Sequence, residues 1–441
     1  MRRQNRLSLW GMATVAALAI LVAGTFASPG YAQVKPGDLI SIQNASKVKD
    51  LVSPGVYYKV KRGMQMHIVP TTRVDWPPPY KDATEKYSSQ VRLSNDHRSL
   101  VGYVAGQPFP LIDTNDPYVA NKIMWNNVFR PITSDDYDLR YYDCESGYEQ
   151  PGHPQGRVLD YFQIGHYAGY DLVGRTEVDP VPIDPDFKKT GRLWLFALYP
   201  ILAPQDIRGT GFIRWRYADP KRGDDDWSLN AGSRRVRRLN ESIMSSASSS
   251  GTDVTTWNPD HYSGFNAKTE FYNYRFLGEK KMLGCVHAVH SPEVRCPTDG
   301  GTSACPEAWE MRRMYIVEAT PRRQRGKAAG ALQGKTLVYL DSEMWFNPYI
   351  DEYDRQGRLW YNHVWWATTR DRPVPDARVA IYPFKRTFIV GADSTDVQSG
   401  VSTMCYLPGI DTPERECWYI NMGAVDRSFF TTDAMVRAAN F

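Results

Sequence analysis

Thiols, imidazoles and carboxylates close together in a chain are where chemistry would start, and this chain has one such cluster. Cys285-Val-His287-Ala-Val-His290 is followed by Cys296 and Cys305. Thiolate and imidazole are zinc ligands. On a strand, however, His287 shares a face with Cys285 while His290 points the other way, and oxidised cysteines do not ligate, so no metal is expected here. Asp224-Asp-Asp226 lacks the further oxygen ligands at set spacing that calcium requires, and reads as a solvated turn. Arg234, Arg235, Arg237 and Arg238 either hold an anionic head group at a cavity rim or form a solvated strand face. The chain has no Gly-x-Ser-x-Gly elbow, no His-Glu-x-x-His helix and no glycine-rich loop between a strand and a helix. No catalytic residue, metal or cofactor is predicted, and the chain is expected not to be an enzyme.

The aromatic residues are more informative. Gly209 to Tyr217 alternates with Ile213, Trp215 and Tyr217 on one face, and Trp227-Ser-Leu229 follows a charged turn. Met314–Ala319 and Thr336–Asp341 alternate again, the second carrying Leu337 and Tyr339. Met344 to Tyr353, with Trp345 and Tyr349, turns through Asp354-Arg-Gln-Gly357 into Arg358–Trp366. In that last strand Leu359, Tyr361, His363 and Trp365 share one face, while Trp360, Val364 and Trp366 share the other. A half-buried sheet has one apolar face; this one has two. Either protein covers both faces, or one of them encloses an apolar cavity. Aromatic strips also bind sugars, which keeps a carbohydrate module in view.

The elements that must carry these strands are read along the chain. Short helices are predicted at Ile42–Val52, ended by Ser53-Pro54-Gly55, at Tyr80–Ser88, and at Pro117–Phe129 between Asp113 or Asn115 and Pro131. A hairpin pairs Val91–Leu93 with Leu100–Val104. From Arg157 strands dominate: Arg157–His166 and Tyr170–Glu177 pairing around Gly169, Leu193–Leu198, and Phe271–Phe276 with Cys285–His290 around Gly278. Ser245–Gly251 and Arg322–Gly334 read as surface loops, and structure after about 367 as less regular. The prediction is a mainly β, α+β fold: one large twisted antiparallel sheet with a few helices packed on it.

Arg2, Arg3 and Arg6, an apolar run from Leu7 to Phe26, and the small residues Gly30 and Ala32 have the layout of a secretory signal peptide over 1–32. The alternative is an uncleaved anchor. The whole chain has a net charge of +4; without those three Arg it is near neutral, so the basic balance gives no warrant for nucleic-acid binding. The six Cys in an exported chain favour disulfides. Cys405 and Cys417 flank Pro408-Gly409, and Cys296 and Cys305 flank a Gly-Gly loop, so these two pairs are the candidates, with Cys144 and Cys285 left over.

Val60-Lys-Arg-Gly-Met64, Tyr80-Lys-Asp-Ala-Thr-Glu-Lys-Tyr87, Gly102-Tyr-Val-Ala-Gly-Gln-Pro-Phe-Pro110 and Asp113-Thr-Asn-Asp-Pro117 resemble the domain-of-unknown-function family DUF1329. So do Lys122-Ile-Met-Trp125, Gly209-Thr-Gly-Phe212, Arg234–Leu239, Phe276-Leu-Gly-Glu-Lys280 and Tyr353–Gly357. The match runs through nearly the whole chain after the leader and implies one domain over 33–441. That family is similar to the lipoprotein-localisation factors LolA and LolB. The resemblance implies an unclosed, curved antiparallel β-barrel with helices lidding an apolar cavity on its concave side, and export to the periplasm of Gram-negative bacteria. It also implies work beside a resistance-nodulation-division exporter of the inner membrane and an outer-membrane barrel. One departure is Trp227-Ser-Leu-Asn-Ala231, where relatives place a Trp-Leu-Tyr-Leu-Pro-like strand.

The resemblance favours a cavity behind the aromatic strands. Its expected lining is Ile213, Trp215, Tyr217, Trp227, Leu229, Leu337, Tyr339, Trp345, Tyr349, Leu359, Tyr361 and Trp365, with the four Arg at its rim and a lipid or other hydrophobic molecule as ligand. The helices near Ile42–Val52 and Pro117–Phe129 would gate it. An exported hydrolase and an envelope scaffold are the rival readings. N-terminal sequencing of the exported chain is expected to begin at Gln33; a chain that retains Met1 is anchored instead.

Overall fold

The computed structural model describes residues 34–132, 135–148, 157–230, 232–233, 235–239, 256–288, 307–322, 333–373, 380–406 and 418–439. Strands β1 (Leu39–Ile40), β2 (Met66–Ile68) and the hairpin of β3 (Arg92–Leu93) and β4 (Leu100–Val101) are interleaved with helices α1 (Pro54–Arg62), α2 (Pro78–Tyr87) and α3 (Val119–Val128). Strands then dominate, beginning with β5 (Asp136–Tyr148), β6 (Arg157–Asp171), β7 (Arg192–Leu198) and β8 (Ile201–Ala203). There follow β9 (Gly211–Tyr217), β10 (Asp225–Asn230), β11 (Arg235–Leu239), β12 (Tyr272–Gly284) and β13 (Glu307–Pro321). The last are β14 (Gln333–Asp341), β15 (Tyr349–Asp354), β16 (Leu359–Arg370), β17 (Arg386–Asp396), β18 (Val401–Tyr406) and β19 (Trp418–Ile420).

Among the described residues seventeen strands join one sheet. Its main ladder is antiparallel and runs β11-β10-β9-β7-β6-β5-β18-β17-β16-β15-β14-β13-β12. Strand β2 adds a parallel pairing to β13. No described residue pairs β11 with β12, so the sheet is unclosed. The chain after 367, expected to be less regular, supplies β17 and β18, which fill the middle of the sheet. Strand β6 does not fold back on itself at Gly169; it pairs instead with β5, a strand absent from the sequence reading.

The register fixes two faces. Ile350 lies opposite His363 and Glu352 opposite Tyr361, which puts them with Trp365 on one face, called inner here. Tyr349 opposite Val364 and Asp351 opposite Asn362 form the outer face. Helix α1 seals that outer face. Ser53 caps the helix by accepting from the Val56 amide, and Pro54 follows in the first turn. The residues read as a helix stop are therefore a helix start, and Ile42–Val48 before them is a 3-10 segment packed on α1. Asp351 accepts from the Ser53 hydroxyl at 2.9 Å and from the Gly55 amide at 3.1 Å. A Cβ on Gly55 would sit 2.4 Å from that carboxylate, so the helix approaches this closely only because glycine is there.

Farther along, the outer face holds Ile213, Leu229, Leu195, Ala197 and Tyr170, covered by Val425, Phe430 and Met435 of the C-terminal segment and its helix Thr432–Ala438. The inner face is crossed by a strap, residues 256–271. Thr256 binds the Ser394 carbonyl at 2.7 Å, and the Trp257 indole binds the Thr403 carbonyl at 3.2 Å. Leu139 and Cys144 both reach the inner face although an odd spacing separates them. Tyr141 between them, at φ 63°, marks the irregularity that flips the alternation.

The disulfide joins Cys144 to Cys405, directly opposite one another on β5 and β18 with Cα atoms 4.1 Å apart. It corrects the expected Cys405–Cys417 pairing and takes up Cys144, expected to be left over. Cys417, Cys296 and Cys305 lie outside the described residues, and Cys285 is a buried free thiol.

Under α1 the Lys59 ammonium forms an ion pair with Asp393 and a 2.5 Å hydrogen bond to the Thr395 hydroxyl, all at no exposure. Removing one partner of such a pair strands the other charge. Lys59→Ala is expected to lower unfolding free energy by about 3–5 kcal/mol, read as a drop in the urea midpoint. An unchanged midpoint would mean that the pair does not hold α1 to the sheet.

Candidate functional site

The strap and the inner face enclose an apolar slot. Leu139, Phe162 and Ile164 wall it from β5 and β6; Phe388, Ile389 and Ala392 from β17; Trp418 and Ile420 from β19; Trp257 and Tyr262 from the strap. The free space between these side chains, counted out to its open mouth, is about 820 Å³. Its hydroxyl-bearing side chains are Tyr167, Tyr262, Ser263 and Thr387.

Tyr167, Tyr262 and Ser263 also wall a second space of about 610 Å³, counted in the same way. This vestibule is more polar than the slot, with Arg, Asp, Asn and Ser side chains among Val, Trp and Phe. Arg214 reaches it from β9 and Asp171 from the end of β6, with Arg130 following α3. Arg214 is saturated with carboxylates: burial opposes its charge, but Asp226 at 2.9 Å, Asp260 at 2.7 Å and Asp224 at 3.4 Å outweigh that and raise its pKa. Arg130 is held differently. It donates to the carbonyls of Asn127 at 2.6 Å and of Ser263, and to the Asn266 side chain at 3.1 Å. Among the described residues no carboxylate comes within ion-pair distance of it. Burial brings its pKa down to about 10, so it stays protonated at neutral pH. Asp171 is half-buried, with its remaining surface toward the vestibule. Burial, with Asp135 nearby, pushes its carboxyl up to about 8 against the opposing pull of Arg175 and Arg130.

On the other side of the strap His261, Glu352 and His363 converge, all buried, with their donor atoms within 4.8 Å of one another. The His261 and His363 rings stack at 4.7 Å, and Trp257 packs on both His363 and Trp365. Burial, with His261 and Lys59 nearby, holds the His363 imidazole well below its ordinary pKa, hence neutral.

None of the twelve residues expected to line the cavity lines this slot. Ile213, Trp215, Tyr217, Trp227 and Leu229 do share one face, but it is the outer one. There the Trp215 indole donates to the Phe430 carbonyl at 2.8 Å and stacks edge-on against Trp227. Leu337, Tyr339 and Tyr349 lie on the outer face at the α1 end of the sheet, and Leu359 is half-buried opposite Tyr353. Trp345 precedes β15, stacks on Tyr315 and borders a separate surface groove with Arg73, Trp76 and Arg313. Tyr361 and Trp365 face inward but stack on His363, beside the converging trio.

The expected rim cations are elsewhere too. Arg234 lies outside the described residues, Arg235 and Arg237 are exposed, and exposed Arg238 pairs with Asp225. Asp224 and Asp226 are not a solvated turn; they neutralise Arg216 and Arg214. His287 pairs with Glu310 at 2.6 Å; His290 lies outside the described residues. Of the two expected gating helices, α3 stands beside the vestibule through Val128, whereas Ile42–Val48 packs against α1 on the opposite face.

The model of the family described as "Protein of unknown function (DUF1329)" matches residues 39–435. The chain belongs to this family. It is 22% identical over 347 residues to the uncharacterized protein PA3922 of Pseudomonas aeruginosa, spanning 76% of this chain and 70% of that one. A crystal structure of a DUF1329 family protein from Desulfovibrio piger superposes with a TM-score of 0.40 at 15% identity, over 69% of this chain and 92% of that one. The LolA superfamily protein NE2245 from Nitrosomonas europaea gives a TM-score of 0.38 at 12% identity, over 71% and 98%. Among the described residues of this DUF1329 chain no helix is long and apolar enough to cross a membrane.

The Asp171 carboxyl gives the vestibule a pH signature. Its folded pKa, about 8, lies above the ordinary 3.8. The folded state therefore binds the proton more tightly, and this group's contribution to stability falls as pH rises from about 4 to about 8, then levels off. Asp171→Asn is expected to be more stable than the parent at pH 9, with the gap closing toward pH 4. Urea unfolding across that range checks it; a gap that widens as pH falls would refute the assignment.

Proposed function

We propose that this chain is a periplasmic carrier that holds one slender apolar group, such as an acyl chain, between its sheet and the strap. The observation that carries the reading is the apolar slot opening beside a polar vestibule in which Arg130 has no described carboxylate partner. An amphiphile has that division: a greasy tail and a polar head. A slot walled largely by Phe, Ile, Leu and Trp side chains offers a methylene chain apolar contact, and each methylene moved there from water contributes about 0.8 kcal/mol. The vestibule supplies donors from Arg130, Tyr262 and Ser263 for a head group. No step of this work makes or breaks a covalent bond. The partners implied by the family resemblance, an inner-membrane exporter and an outer-membrane barrel, would deliver and receive the ligand.

Chain purified from the periplasm without detergent is expected to release an apolar molecule on solvent extraction and to show its added mass under native mass spectrometry. Ala392→Phe, which grows into the slot, is expected to weaken binding of a fluorescent fatty acid by about tenfold, the equivalent of about 1.4 kcal/mol. Arg237→Ala, on an exposed strand away from the slot, should leave binding unchanged. The reading is lost if extraction yields nothing apolar and the fatty acid does not bind the parent chain.

A further inference from the structure

His261, Glu352 and His363 come from three separate elements: a 3-10 turn of the strap, β15 and β16. Their side chains are 5%, 1% and 1% exposed. The Nε2 of His261 lies 2.8 Å from Glu352 Oε1, and the Nε2 of His363 lies 4.0 Å from that same oxygen. Among the described residues neither ring nitrogen of His363 has a hydrogen-bond partner, and neither has Nδ1 of His261. Buried polar atoms are seldom left so, because each costs its full desolvation. Here they sit around a carboxylate rather than scattered through the core.

The Lys59 ammonium that bears on His363 is on the other face and already paired with Asp393. The other carboxylate oxygen of Glu352 accepts from Gln333 Nε2 at 3.1 Å, a contact that orients the group. Donors sharing one ion at bond lengths of about 2.0–2.2 Å stand farther apart than 2.8 Å when tetrahedral and nearer than 4.0 Å, so the set closes when the side chains shift and one imidazole turns out of its stack with the other.

We propose that His261, Glu352 and His363 bind a divalent transition-metal ion, with zinc the best match to two imidazoles and a carboxylate. Because His261 belongs to the strap and the other two to the sheet, the ion clamps the strap across the inner face. Trp257, four residues before His261, walls the slot and packs on His363. The clamp therefore fixes one wall of the slot. The metal site stands on its own residues and does not require the carrier reading.

The test uses the exported chain, made without a histidine tag and stripped with a chelator. Titration with zinc sulfate is expected to show one ion per chain by calorimetry and elemental analysis, and cobalt chloride to give the visible d–d bands of a nitrogen- and oxygen-bound ion. Glu352→Gln and His363→Ala should lose zinc affinity by more than the roughly 10–100-fold that removing an outer-shell partner costs. His287→Ala, at the separate pair with Glu310, should not. Zinc should also slow hydrogen exchange across 256–266 in the parent chain, a readout that needs no variant to fold. Absence of stoichiometric zinc binding by the parent overturns the proposal, and so does zinc affinity that survives both Glu352→Gln and His363→Ala.

Discussion

An open sheet whose strands carry apolar groups on both faces cannot leave either face to water. That constraint organises this molecule. Trp365 and Trp366, neighbours in β16, are both fully buried although they point opposite ways. At about 25 cal/mol for each square ångström removed from water, covering both faces outweighs leaving one wet. Among the described residues three stretches do much of the covering. Helix α1 and the C-terminal residues 425–439 seal two regions of the outer face; the strap crosses the inner one. The covers come from the start, the end and the middle of the chain, so none forms until distant sequence has been brought together.

The strap divides what it covers. Trp257 points toward the apolar slot, His261 toward Glu352 and His363, and Tyr262 with Ser263 stands between slot and vestibule. The turn Pro259–His261, capped by the Asn258 side chain on the Asp260 amide, lets consecutive residues face such different surroundings. In an extended strand two side chains out of every three would have shared one of them.

Much of the sheet is legible in the sequence. Alternation and turn chemistry mark β9, β10 and β13 to β16 close to where they lie, and Ile213, Trp215 and Tyr217 do share a face. Alternation separates the faces but does not say which is inside. Here the aromatic face of β9 turns outward under Phe430 and Met435, and the inward residues include Arg214 and Arg216, whose charges are met by aspartates from β10 and the turn before it. Tyr361 and Trp365 do face inward, but they stack on His363 away from the slot. Strand β5 is hidden for a related reason: Asp136, Asp138 and Asp143 interrupt any apolar alternation, yet each is buried, with partners such as Arg140, His166 and Tyr161. The disulfide spans 261 residues, and His261 stands far along the chain from Glu352 and His363. No spacing rule reaches contacts that only the ladder order creates.

The two vestibule cations differ in a way that bears on the ligand. Three carboxylates surround Arg214, so its field is largely cancelled at short range. The partners of Arg130 are carbonyl and amide oxygens, which carry dipoles but no net charge, so its field persists. Asp171, the nearby acid facing the same space, is kept protonated at neutral pH by its own burial and contributes no compensating charge until it ionises near pH 8. A cationic head entering the vestibule would meet an unopposed guanidinium at a distance where poor screening makes repulsion strong. An anionic or neutral head would meet donors instead. On the carrier reading the slot selects for a thin apolar tail, and the vestibule, where no described carboxylate pairs with Arg130, selects against positive charge at the head.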